Sequence, residues 1–132
     1  MTSKVVYLGD LRTECEHLQS GNKIITDAPL DNQGKAEAFS PTDTVSTALA
    51  SCMFTIMGIK ARDMEVDIQN SHAEVTKTMA SNPRRISKIK IDFFLPSNLS
   101  EKEKSILENS AKTCPVIYSL NPEIEKEINF NY

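Results

Sequence analysis

The 132-residue chain reads as an α+β domain, and three observations predict that class. Residues 39–62, FSPTDTVSTALASCMFTIMGIKAR, space their apolar side chains as one long helix. Segments of alternating apolar and polar residues stand before and after it. A shorter helical pattern follows near residues 100–114. Strands grouped around a central helix, instead of alternating strictly with helices, define an α+β arrangement. The expected order is three strands, a helix, two strands, one or two helices and a last strand, as one domain over 1–132.

Taken in order, residues 4–8 (KVVYL) suit a first strand and Gly9-Asp10 a turn. Residues 13–18 suit a second strand, with Thr13, Cys15 and His17 on one face and Glu14 and Glu16 on the other. Ser20-Gly21-Asn22 marks a turn and residues 23–26 a third strand. Residues 27–35 (DAPLDNQGK) have the Pro, Asn and Gly content of a loop. In the long helix, Val45, Ala48, Leu49, Cys52, Met53, Ile56, Met57 and Ile59 recur at three-four spacing and are expected to face inward. No charge stands between Asp43 and Lys60, so burial over most of the circumference is expected. Its start is marked by Ser40 as cap, Pro41 in the first turn and Asp43 at the capping-box position.

After Arg62 the pattern becomes extended. Residues 66–68 and 73–79 are expected strand material around a turn at Asn70-Ser71. Ser81-Asn82-Pro83 turns the chain into residues 86–95, ISKIKIDFFL, which alternate strongly and should pair with the preceding segment as a hairpin. Ser100 to Glu103 form a capping box opening a second helix, whose inner face carries Ile106, Leu107, Ser110, Ala111 and Cys114. Pro115 breaks that helix at Cys114. Residues 116–120 suit a short further helix, and 127–132 an edge strand.

Composition narrows the function classes. A formal net charge of −3 without a basic cluster argues against nucleic acid, as does the aromatic inventory of five Phe, three Tyr and no Trp. No uncharged apolar run is expected to reach the ~20 residues that span a bilayer, and the first residues lack an apolar signal core. A cytoplasmic, membrane-free protein is the expectation. Three scattered cysteines, Cys15, Cys52 and Cys114, suit neither a disulfide framework nor a zinc finger. In a reducing compartment, a disulfide among them would be transient and catalytic or sensory.

Cys52 and Cys114 are the candidate reactive thiols. From periodicity alone Cys52 is more readily a small buried hydrophobe, and chemistry requires a cation to favour its thiolate, because a helix dipole acts at the ends. Cys114, before Pro115, can stand at the N-terminus of the next helix, where free N–H groups favour a thiolate. Arg12, after the first turn, is a candidate cation, with Asp43 as a carboxylate able to orient it or simply to cap the helix. Arg84 and Arg85 read as a solvated turn, His72 as an exposed strand or turn residue, and Cys15 with His17 as two of the several ligands a metal would need.

The motifs TDAP at 26–29, SPTD at 40–43 leading into ALASCM at 48–53, PRRI at 83–86 and CPVIYSL at 114–120 resemble the OsmC/Ohr family of hydroperoxide-reducing proteins. The likeness covers nearly the whole chain. It implies an OsmC-like fold and an intertwined homodimer, with N-terminal strands crossing to the partner and active sites at the subunit interface. It further implies a peroxidatic Cys52, a resolving Cys114, an Arg12 that stabilises the thiolate and an Asp43 that holds Arg12. The substrate would be an organic hydroperoxide or hydrogen peroxide, and the reductant a dithiol, lipoyl-type or other, with no metal, haem or flavin. Thr42 stands where the hydroperoxide-resistance branch has a glutamate, so the chain is more similar to the less-characterised OsmC-like branch. A non-enzymatic ligand-binding module and a thiol redox sensor are the alternatives.

Overall fold

A computed structural model describes residues 1–132. The order of elements is β1 (Ser3–Gly9), β2 (Arg12–His17), β3 (Lys23–Asp27), a 3-10 turn (Leu30–Asn32), α1 (Pro41–Asp63), β4 (His72–Ala80), β5 (Arg85–Phe94), α2 (Glu101–Ala111), α3 (Pro115–Ser119) and β6 (Glu125–Asn131). This is the expected α+β order. The chain divides into two compact units, Met1–Val45 and Ser46–Tyr132.

The first unit holds an antiparallel sheet in the order β1-β2-β3. Gly9, at φ +86°, takes the left-handed backbone that the β1–β2 turn needs. Paired residues share a face, so Val5, Cys15 and Ile24 form one row and Val6, Glu14 and Ile25 another. Val5, Tyr7 and Ile24 on one face are exposed, and so are Val6 and Ile25 on the other. Such a sheet carries apolar surface on both sides, a property of surfaces that meet a partner.

The second unit holds a sheet in the order β4-β5-β6. β4 and β5 form the expected antiparallel hairpin, and β6 runs parallel to β5. A parallel neighbour requires a long crossover, which α2 and α3 supply. Ile89, Ile91 and Phe93 of β5 alternate inward and are fully buried beside Leu49, Met53, Met57 and Leu107. Each such side chain stabilises the unit by about 1.5–3 kcal/mol relative to exposure. The Phe93 ring also meets Phe54 edge-on at 4.8 Å and stacks on Phe130 at 5.3 Å. On the opposite face of β5, Asn129 Nδ2 donates to Asp92 Oδ1 at 2.8 Å and Lys88 pairs with Glu127.

Three expectations are corrected. Residues 66–68 form no strand; Val66 N–H instead donates to the Ala61 carbonyl at 2.9 Å, which closes the end of α1. The buried residues of α1 are Ser46, Leu49, Ala50, Met53, Met57 and Ala61, whereas Val45, Ala48 and Ile59 are exposed. The helix is apolar on two adjoining flanks, so spacing alone left its rotation undetermined. α1 is also long and apolar enough to cross a membrane by length and composition, a property that core helices share.

Candidate functional site

α1 carries Cys52 at the border between its buried and open flanks. The helix starts where Ser40 and Asp43 cap it reciprocally. Asp43 N–H donates to Ser40 Oγ at 3.1 Å, and Ser40 N–H donates to Asp43 Oδ2 at 3.0 Å. The capping role expected of Asp43 is therefore present. Further along, Leu49 and Met53 point into the core while Cys52 and Ile56 are half-buried against it. Ala48, Thr55 and Ile59 continue from them onto the open side.

The second thiol is set by the α2–α3 junction. Ser100 caps α2 in a full capping box with Glu103, and Leu107, Ser110 and Ala111 are buried on its inner face. Pro115 ends that run and starts α3, for which Cys114 is the N-cap. Its Sγ accepts the Ile117 N–H at 3.4 Å, and the residue is 0% exposed. Burial pushes the Cys114 thiol above its ordinary pKa, and the neighbouring Cys52 thiol pushes the same way, while the Ile117 and Val116 N–H groups pull it down. The two thiols are thus neighbours that influence one another electrostatically, although they come from different helices. All three cysteines are free thiols.

Arg12 opens β2 and stands opposite Asp27, the last residue of β3, in the strand register. Its Nη2 donates to Asp27 Oδ2 at 3.4 Å and also to Glu37. Glu37 comes from the loop after β3, which doubles back so tightly that a Cβ at Gly34 would stand 1.7 Å from the Ala28 carbonyl oxygen. The Glu37 N–H donates to the same Asp27 oxygen at 3.1 Å. That hydrogen bond first, and Arg12 second among the stabilising groups, hold the Asp27 carboxyl below the usual carboxylate range. Neither partner was anticipated for Arg12. The signal was the β2–β3 register, which the turn at Ser20–Asn22 implies and which sets residue 12 across from residue 27.

The remaining candidates have local partners. Cys15 Sγ lies 3.8 Å from Thr13 Oγ1, and His17 Nδ1 lies 2.7 Å from Ser20 Oγ. Arg85 donates to the Ser81 and Pro83 carbonyls within its turn. His72 stacks on Phe94 at 4.7 Å.

The OsmC-like protein family model matches residues 34–129. Among solved structures, a Psychrobacter arcticus 273-4 protein, provisionally described as an osmotic stress induced and detoxification response protein, is 57% identical with a TM-score of 0.96, over 99% of this chain and 96% of that one. The organic hydroperoxide resistance protein OsmC of Legionella pneumophila has a TM-score of 0.77 at 13% identity, over 100% and 98% of the two chains. The organic hydroperoxide resistance protein OhrB of Bacillus subtilis has a TM-score of 0.72 at 14% identity, over 99% and 98%. These two likenesses are of fold. No curated protein sequence matches. The chain belongs to the OsmC-like protein family.

Proposed function

We propose that this protein is a thiol-dependent peroxidase that reduces organic hydroperoxides, with Cys52 as the peroxidatic thiol and Cys114 as the resolving one. The observation that carries the reading is that the half-buried Cys52 and the buried Cys114 belong to one packed cluster, near enough for Cys52 to raise the Cys114 thiol. Their environments suggest the order of attack. Cys52 is half-buried beside an open apolar flank, within reach of a substrate that has an organic tail. Cys114 is enclosed, and its raised pKa keeps it protonated at neutral pH.

In the first step the Cys52 thiolate attacks a peroxide oxygen. The O–O bond breaks, the alcohol leaves with a proton, and a sulfenic acid remains on Cys52. The Cys114 sulfur then attacks the Cys52 sulfur. The S–O bond breaks, hydroxide leaves as water with the Cys114 proton, and a disulfide forms. A dithiol restores both thiols by exchange. Arg12 enters the proposal through the family resemblance, as the cation that favours the Cys52 thiolate. Asp43, beyond its capping role, enters through the same resemblance as a further carboxylate proposed to hold Arg12. The two-sided apolar sheet of the first unit supports a homodimer in which that sheet is covered by a second copy. Three free thiols suit a reducing, cytoplasmic setting.

The test is peroxide consumption with a dithiol reductant by the wild type and by Cys52→Ser. Wild-type turnover that disappears in the variant supports the reading; equal rates would sink it. A second reading, a non-enzymatic ligand-binding module, draws on the groove lined by Thr47, Ala50, Phe54, Ala73 and Val75. Native mass spectrometry of the purified protein separates them, because the module predicts a retained small apolar ligand.

A further inference from the structure

We propose that Asp27 is a positioning residue for Arg12, a buried and fixed carboxylate that determines where the guanidinium stands. The inference rests on the reading that Arg12 serves the Cys52 thiolate. A long flexible side chain stabilises an anion well only when its head group is already in place, because otherwise ordering it offsets the gain.

Three observations single out Asp27. Its side chain is 0% exposed, against 59% for Glu37, the other acid on Arg12. Water screens the Glu37 pair and leaves the Asp27 pair less screened. Asp27 is also fixed at both backbone and side chain. Its N–H donates to the Phe39 carbonyl at 3.0 Å, and its Oδ2 receives the Glu37 N–H. Finally, both acids engage the same guanidinium nitrogen, Nη2, so Arg12 retains N–H donors on its other nitrogens for a further anion. Asp27 Oδ1 is buried without a hydrogen-bond partner, so the pair is one-armed and not closed on itself. Because the Glu37 N–H and Arg12 favour its ionised form, Asp27 remains a carboxylate throughout the range in which a thiol titrates.

A purely structural role, pinning β3 to the loop that carries Glu37, is the competing account. The two differ at Cys52. Alkylation of Cys52 by iodoacetamide, followed against pH by peptide mass spectrometry on the full-length protein, reads its thiolate fraction. Asp27→Asn and Arg12→Met are both expected to move that titration upward by about one unit, with about tenfold slower alkylation below it. A folded Asp27→Asn that alkylates like the wild type, while Arg12→Met is shifted, would overturn the positioning role and leave the arginine assignment standing. An unshifted Arg12→Met would overturn both. A Glu37→Gln shift as large as that of Asp27→Asn would transfer the role to Glu37. Should Asp27→Asn fail to fold, Asp27→Glu decides, since it retains the buried charge but displaces the guanidinium by a methylene. It too should shift the titration upward, and wild-type behaviour would contradict the proposal.

Discussion

Cys52, on α1, is a near enough neighbour of Cys114, at the junction of α2 and α3, to push that buried thiol further above its ordinary pKa. The first thiol is half-buried and the second fully enclosed. A disulfide between them is the oxidised product that the proposed function requires.

The junction makes one variant informative. In Cys114→Ser the hydroxyl can still accept the Ile117 N–H, and serine is among the preferred N-cap residues. We expect a melting temperature close to that of the wild type. Peroxide consumption should end after one equivalent per chain unless the reductant attacks the sulfenic acid directly, and that acid should be captured by a dimedone-type reagent at Cys52. Wild-type turnover in this variant would remove Cys114 from the resolving role.

The start of α1 gives a stability prediction free of redox chemistry. Ser40→Ala removes the oxygen that accepts the Asp43 N–H and should cost about 0.5–2 kcal/mol. Asp43→Asn keeps an acceptor for the Ser40 N–H but removes the negative charge at the helix N-terminus. About 0.3–1 kcal/mol is expected there. Urea titration of each variant checks both figures.

The two flanks of α1 should respond differently. Met53→Ala opens a cavity at a fully buried position and should cost about 2–5 kcal/mol. Ile59→Ala touches an exposed position and should stay within about 0.5 kcal/mol in a monomer. A larger Ile59 effect that depends on protein concentration would mark a second copy covering that flank.

Stability should fall at both ends of the pH scale, for opposite reasons. Asp27 has its folded pKa lowered, chiefly by the Glu37 N–H, so its contribution is present above the ordinary aspartate value and lost as pH falls through the folded one. Asp92, held down first by Asn129, and Glu127, held down first by Lys88, act the same way in the second unit. Cys114 has its folded pKa raised, chiefly by burial, so its contribution is present below the ordinary thiol value and lost as pH rises through the folded one. Thermal melts across pH should therefore show Asp27→Asn flattening the acid limb and Cys114→Ser the alkaline limb.

What could be read in advance was local. Both capping boxes, Ser40 with Asp43 and Ser100 with Glu103, are short-range patterns whose partners lie three residues apart, and both are present. The Cys114-Pro115 break was equally local, since proline ends one helix and suits the first turn of the next. What depended on long-range packing was not legible. Val45, Ala48 and Ile59 have the same residue character as Leu49 and Met53, and only the position of β5 decides which set is covered. Residues 66–68 have strand composition but no ladder partner. Asp27 and Glu37 lie in a stretch read as loop, and their meeting with Arg12 requires the strand register and the close return of the chain at Gly34.

The central claim is that these two thiols form the redox pair, and peptide mapping tests it most directly. The reduced protein is treated with one equivalent of an organic hydroperoxide, quenched in acid and digested without reductant. The account predicts a Cys52–Cys114 disulfide within one chain, with Cys15 still a free thiol. A dominant bridge through Cys15, or three unmodified thiols beside unconsumed peroxide, would contradict it.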